Sequence, residues 1–398
     1  MNESKEISSS NVLRVLAASG LTCACLVGVL SLMHPRSLTN GEDLIQDYLS
    51  ARALLRGEDP YQDLVRMRSE NGFPPTLPDP VPSNPHPPFA FFIVVPFASA
   101  DYTKSYTAFV IANLLALSVA WNGAWAMFGR VTWWTAAIGG LLAGWGPVFQ
   151  GLDFGQPSGF LALGVLGFWW LARRSSGIWL GVFLGLLCGI RPFFFHLSGV
   201  GSRGNWRSFM MAIAGFTAAF LIPFLLVNKS PLTWWQENGS ESSKYVNICG
   251  TLPGVTRMGA NGGIAFYLMS WGFLLWLSRR RDVDTVTALS LGWILLLYPL
   301  AWSHYDVIFI PGIVWMALRA NRTNDRLVLW ALIAYLLLRL LPSTFEQYTQ
   351  RMWMQFLGRL CLVVGLSKLA WKSSPDSSAT AAAGSLPTNC QPEPSTYH

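Results

Sequence analysis

Asp43 and Asp47 lie four residues apart in the stretch Glu42-Asp43-Leu44-Ile45-Gln46-Asp47. On a helix that spacing puts both carboxylates on one face, so they can serve one site. A carboxylate held among apolar residues near a membrane surface ionises at a higher pH than usual and can accept the proton of an attacking hydroxyl. The local alternative is that acidic residues following Asn40-Gly41 complement the positive end of a helix. Arg191 stands between Cys188-Gly189-Ile190 and Pro192-Phe193-Phe194-Phe195. An arginine in so apolar a stretch faces a cavity, a partner or an anion, and its guanidinium suits phosphate through paired hydrogen bonds. Asp153 and Asp306 are the structural partners the chain offers it instead. His304, in Trp302-Ser303-His304-Tyr305-Asp306, is suited to hydrogen-bond a phosphate, to act as acid or base, or to be a satisfied structural group.

Other chemistries find less support. His34, His86 and His196 are scattered, and no His, Cys, Asp and Glu cluster has metal-ligand spacing. No cofactor is implied, although a divalent cation held by carboxylates and a substrate phosphate stays open. There is no phosphate-cradling glycine loop, so nucleotide hydrolysis is not expected. Cys23, Cys25, Cys188 and Cys361 fall in apolar runs, Cys249 in a loop and Cys390 in the tail, a distribution that suggests no disulfide framework. Trp234-Trp235 suits an interface anchor or a platform for a sugar ring.

These residues must be positioned by elements that water alone does not solvate. Of 398 residues 52% are hydrophobic and 12% charged, whereas soluble domains carry roughly 25% charged residues. Apolar runs recur from Val15 to about residue 370, which predicts an all-α polytopic membrane protein of roughly 11 to 13 spans. The first run, Val15 to Met33, reads as a retained span rather than a cleaved signal. The net charge of +7 sits in short clusters between apolar runs, a mark of topology and not of a nucleic-acid groove. Arg173-Arg174, Arg203 with Arg207, Arg279-Arg280-Arg281, Arg319 with Arg322 and Arg326, and Lys368 with Lys372 are expected in the cytoplasm.

The loops at about 34–88 and 229–260 then face outward, together with Ser303-His304. Within the first loop, residues 41–57 predict an amphipathic juxtamembrane helix and residues 73–88 a proline-rich extended segment. Arg174 and Arg203 on one side require the chain between them to go out and return, as two half-helices meeting near Arg191-Pro192. Some segment between 89 and 158 must likewise be broken or re-entrant, with Trp145-Gly146-Pro147 as the break. Residues 1–372 form one membrane domain on this reading, and the Ser-, Ala-, Pro- and Thr-rich tail at 373–398 is disordered.

The first loop carries Asp43, then Ala51-Arg52-Ala53-Leu54-Leu55, Gly57 and Asp59-Pro60-Tyr61, and His86-Pro87-Pro88 opens the next span. In that order these motifs resemble the first outer loop of glycosyltransferase family 87, the polyprenol-phosphate-mannose-dependent mannosyltransferases, with His86 where the family has a tyrosine. The likeness extends to Gly155-Gln156, to Gly181 through Gly189 leading into Arg191-Pro192, and to Trp302-Ser303-His304-Tyr305. The resemblance implies a GT-C-like helical bundle with Asp43 as catalytic base, Asp47 standing where the family usually has an aromatic residue. It further implies that Arg191 and His304 lie near the donor phosphate and Gln156 near the sugar, with Tyr305, His86 and Asn261 as further substrate-binding residues. The family's acceptor-side motif in the second outer loop is not matched, and Asn247 and Asn261 are the nearest candidates.

Residues and resemblance together lead to the expectation of an enzyme of the inner (plasma) membrane with its site on the extracytoplasmic side. It would move a sugar, expected to be mannose, from a polyprenyl-phosphate donor to a glycolipid or polysaccharide acceptor, with inversion at the anomeric carbon. The rival readings are a lipid or solute transporter with a midplane site and a family member that binds glycolipid without turnover.

Overall fold

A computed structural model describes residues 9–33, 41–70, 73, 84–174, 177–201, 206–243, 249–340 and 348–372. The tail at 373–398, residues 34–40, most of the proline-rich segment and Asn247 lie outside the described residues. Among the described residues there are helices and no strand. In chain order the helices are α1 (Ser9–Met33), α2 (Glu42–Leu55), α3 (Leu64–Glu70), α4 (Pro88–Phe92), α5 (Tyr102–Phe128) and α6 (Trp133–Gly140). There follow α7 (Gly146–Asp153), α8 (Ser158–Arg173), α9 (Gly177–Ile190), α10 (Ser198–Gly201), α11 (Trp206–Leu226) and α12 (Pro231–Ser243). The chain ends with α13 (Leu252–Thr256), α14 (Gly259–Ser278), α15 (Val283–Leu297), α16 (Ile310–Arg322), α17 (Arg326–Leu340) and α18 (Tyr348–Lys372).

Four of these helices, α1, α5, α11 and α18, are long and apolar enough to cross a membrane, and the chain is a helical membrane protein. The count is lower than the number of apolar runs because several runs are divided. The run expected at 132–150 becomes α6, a 3-10 turn at Leu141–Gly144 and α7, with Trp145 extended (φ −82°, ψ 121°) ahead of Gly146-Pro147. Likewise α9 stops at Ile190, Arg191 is extended (φ −144°, ψ 111°), and Pro192–Leu197 forms a 3-10 segment. Proline disfavours helix in the residue before it, as at Arg191, and lacks the N–H that a preceding helix would need while fitting a first turn, as Pro147 does in α7, so both breaks are written in the chain.

Small residues bring the helices together. A side chain at Gly181 would put its Cβ 1.9 Å from the Ala212 carbonyl oxygen, and one at Gly215 would lie 2.4 Å from that of Ile178. Only glycine permits α9 and α11 this contact, a packing mode suited to a solvent in which apolar burial alone does not drive association. By contrast, Met210, Ile213, Ile222 and Leu225 on α11 point away from the protein, as lipid-facing side chains do.

Helix α2 departs from its amphipathic expectation. Every residue from Leu44 to Ala51 is buried, the polar Gln46, Asp47 and Ser50 included. Tyr48 packs edge-on against Tyr102 and Phe73, with ring centroids 5.2 and 5.7 Å away, and its hydroxyl donates to the Ala100 carbonyl at 2.7 Å. Ser50 donates to the Pro60 carbonyl at 2.7 Å. The polar face is thus covered by the protein's own loops, and α2 is an interior element.

Deep in the fold, Asp306 is wholly buried between Arg339 of α17 and Arg359 of α18, each pairing through Nε. Arg359 also donates to the carbonyls of Gly250, Ala301 and Trp302 at 2.8–3.0 Å, and Arg339 to that of Ser303 at 3.1 Å. The two arginines therefore hold the irregular chain between α15 and α16, where His304 and Tyr305 sit. Asp306→Ala would leave two buried cations without a counter-charge, and removing one partner of such a group costs about 3–5 kcal/mol. The thermal midpoint of the detergent-purified protein is expected to fall accordingly, and to fall less for Asp306→Asn, which keeps an acceptor oxygen.

Candidate active site

The site is built where the start of α2 meets the end of α7. The backbone N–H of Gly41 donates to the Asp153 carbonyl at 2.9 Å, and those of Asp43 and Leu44 donate to the Phe154 carbonyl at 3.0 and 3.3 Å. The first N–H groups of a helix and the last carbonyls of another lack partners within their own helices, and here each supplies the other's need. No side chain caps α2. Gly41 (φ 47°) and Gly155 (φ 71°) are left-handed, and a Cβ at Gly155 would lie 2.5 Å from that of Leu44. From above, Tyr102 and Tyr106 of α5 donate to the Gly41 and Leu152 carbonyls, both at 2.8 Å.

This junction delivers Asp43 to Gln156. The Gln156 amide donates through Nε2 to an Asp43 carboxylate oxygen and accepts through Oε1 from Arg191 NH2 at 2.5 Å. Arg191 in turn donates from Nε to the Tyr305 hydroxyl at 2.8 Å and from NH1 to the Ile190 carbonyl at 2.9 Å. Gln156 is itself fixed by Asn113 of α5. The Asn113 Nδ2 donates to the Gln156 carbonyl at 2.7 Å, while its Oδ1 accepts from the N–H groups of Gly159 and Phe160, at 2.7 and 3.2 Å. Asn113 thereby caps α8 from a neighbouring helix, a service the preceding Pro157 does not perform. Asp306, one of the structural partners the sequence offered Arg191, is taken by Arg339 and Arg359 instead.

The two carboxylates of α2 live differently. Asp47 is 4% exposed; it accepts from Asn84 Nδ2 at 3.0 Å and meets His86 Nδ1 at 2.9 Å, and Asn84 also donates to Ser50 at 2.9 Å. Burial opposes its ionisation, but His86, Arg191 and the Asn84 hydrogen bond outweigh it and hold the Asp47 carboxyl below the usual carboxylate range. Asp43 is only partly buried. Burial pushes its carboxyl up, and the charge of Asp47 adds to this, against the pull of His86, Gln156 and Arg191. One carboxylate is committed to the protein and the other is poised to take a proton.

His304 lies between Phe154 and Tyr305, with ring centroids 6.3 and 4.4 Å away, and its Nε2 is buried without a hydrogen-bond partner among the described residues. The adjoining Ser303 donates to Gln150 of α7. The segment that follows α11 reaches the same side. Lys229 sits 5.4 Å from the Tyr61 ring and 2.7 Å from Glu237, and the Tyr61 hydroxyl donates to the His86 carbonyl at 3.0 Å.

The structure thus brings together Asp43, Asp47, His86, Gln156, Arg191 and Tyr305, with His304 alongside. It does not bring Asn261 into this network: that residue is exposed on α14, and no hydrogen bond joins it to the cluster among the described residues. Asn84 and Asn113 escaped the reading of the sequence. A lone asparagine in the apolar stretch Phe109 to Leu117 was the available signal for the second. Among the described residues no group of three or more His, Cys, Asp or Glu side chains is placed to hold a metal ion. What the arrangement offers is a carboxylate of raised proton affinity and a guanidinium on either side of one neutral amide, able to act on a hydroxyl and an anionic group respectively.

No curated protein and no solved structure matches the chain. The sequence model of glycosyltransferase family 87 matches residues 85–344, which include His86, Gln156, Arg191, His304 and Tyr305 but neither aspartate of α2. Since that match spans more than half of the 398 residues, the protein belongs to glycosyltransferase family 87 and is a membrane enzyme that transfers a sugar.

Proposed function

We propose that the enzyme transfers mannose from a polyprenyl-phosphate donor to a hydroxyl of a glycolipid or polysaccharide, at the extracytoplasmic face of the plasma membrane and within a GT-C-like bundle. Asp43 removes the acceptor proton as the hydroxyl oxygen attacks the anomeric carbon. The bond from that carbon to the phosphate oxygen breaks, and polyprenyl phosphate leaves with its charge held by Arg191 and His304. Gln156 contacts the sugar, His86 and Tyr305 complete the phosphate surroundings, and one displacement with one base inverts the anomeric centre. The lipid tail lies between helices.

One observation carries the assignment: Asp43 is the accessible carboxylate of raised proton affinity, and a single amide separates it from the Arg191 guanidinium. Asp47 fits the base poorly because Asn84 and His86 already occupy it.

With polyprenyl-phosphate-mannose and membrane lipid extract, Asp43→Asn is expected to lose about 10²–10⁴-fold in turnover, the range for a general base, while keeping the wild-type thermal midpoint. Asp47→Asn is expected to retain measurable transfer. The opposite ranking would make Asp47 the base, and no transfer by the wild type would overturn mannose transfer to a membrane glycolipid.

The pH profile provides a second check. A base acts when ionised, so kcat/KM is expected to fall as the pH drops through the Asp43 value, which lies above the ordinary ~3.9 of an aspartate because of burial. Asp47→Asn removes a neighbouring negative charge and is expected to move that acidic limb to lower pH. A limb that stays in place would separate the observed titration from Asp43.

A further inference from the structure

The end of the molecule opposite the candidate active site holds a concavity. Helix α5 has 27 residues and therefore rises about 40 Å. Its first turns carry Tyr102 and Tyr106 at the active site, whereas its last residues, Met127 and Phe128, line a cavity of about 280 Å³ together with Arg173, Arg319, Arg322 and Trp315. Asp284, at the start of α15, is the acidic group on this wall.

The charges here are unevenly committed. Arg173 pairs with Asp284 at 3.1 Å and donates to the Met127 carbonyl at 3.1 Å, while Arg322 donates to the Phe128 carbonyl at 2.7 Å. Asp284 also accepts from Trp169 Nε1 at 2.9 Å. These bonds hold two guanidinium groups at the rim and spend the single carboxylate. The Arg319 guanidinium feels the Asp284 charge across the cavity but makes no hydrogen bond or close ion pair among the described residues, and it faces the same space. Three arginines against one aspartate leave the cavity positive and its exposed lining mostly polar, with Phe128 and Trp315 buried behind it and Arg173 5.4 Å over the Phe128 ring.

Its depth points to the source of the ligand. Trp133 and Trp134, a few residues beyond Phe128, are 67% and 80% exposed, and Arg174 lies 3.9 Å over the Trp170 ring. Exposed tryptophans beside arginines mark the level of lipid headgroups, where basic pockets between helices receive anionic ones. We propose that this cavity binds the phosphate of an anionic membrane phospholipid, with Arg319 as its principal ligand and the acyl chains remaining in the bilayer. The proposal stands apart from the catalytic assignments.

The test is native mass spectrometry of the full-length protein in detergent, supplied with phosphatidylglycerol or phosphatidylcholine. Wild type is expected to retain phosphatidylglycerol in preference to phosphatidylcholine. Arg319→Gln, which breaks no bond within the fold, is expected to weaken that retention about tenfold, as loss of a charge-assisted hydrogen bond does. Arg319→Lys should recover part of it. Equal retention of phosphatidylglycerol by wild type and Arg319→Gln, or equal retention of the two lipids by wild type, would overturn the proposal. Full displacement by glycerol phosphate at matched concentration would make the ligand a soluble phosphate and overturn the lipid assignment; weak displacement is the expected result.

Discussion

Everything at the candidate active site depends on the meeting of two helix ends. The first N–H groups of α2 donate to the last carbonyls of α7, and without this exchange both sets would be buried and unsatisfied, at a cost of about 1–3 kcal/mol for each group. The contact closes only because Gly41 and Gly155 adopt left-handed backbone and leave no side chain between the elements. It carries the positive end of α2 into the bundle and sets Asp43 beside Gln156. The break before α7 is part of the same device, since an unbroken helix from Trp133 onward would not end at this level.

Within the site, a neutral side chain separates opposite charges. Asp43 and Arg191 in direct contact would form an ion pair that lowers the carboxyl and occupies the guanidinium. The Gln156 amide bonds to both and leaves each with unused hydrogen-bonding capacity. Asp47 shows the contrary case, being buried, paired with His86 and Asn84, and held ionised. Two residues of identical chemistry, one helical turn apart, are differentiated entirely by what the rest of the chain brings to them.

That contrast shows what the linear chain could and could not disclose. The four-residue spacing of the aspartates, the prolines after Arg191 and Gly146, and the lone cation in an apolar run are local facts with local consequences, and they were readable. The different fates of Asp43 and Asp47 depend on Asn84 and His86, nearly forty residues away, and nothing in the α2 segment signals them. The amphipathic pattern of α2 was equally real, but its polar Asp47 and Ser50 are covered by Asn84, His86 and Pro60 from the loops, a tertiary event. Apolar runs located the helical segments, but hydrophobicity does not distinguish a full crossing from two short pieces, as the divided runs around Trp145 and Arg191 illustrate. Asp306 looked like a partner for Arg191; its true partners are Arg339 and Arg359, themselves cations in apolar runs, whose pairing with a residue 33 and 53 positions away the chain does not announce.

The arrangement around Asp306 also bears on how the protein is made. Its partners Arg339 and Arg359 follow it by 33 and 53 residues, so during synthesis the carboxylate emerges first and waits for both. An uncompensated charge within a bilayer is costly, and the segment from Ala301 to Asp306 gains its final carbonyl contacts only when α18 has been inserted. A nascent chain that has not yet released α18 from the ribosome already contains both aspartates of α2, Gln156 and Arg191, yet the loop bearing His304 and Tyr305 lacks its anchor. Assembly of the site is therefore coupled to the insertion of α18, which locks a loop whose chemical partners lie almost entirely upstream of it.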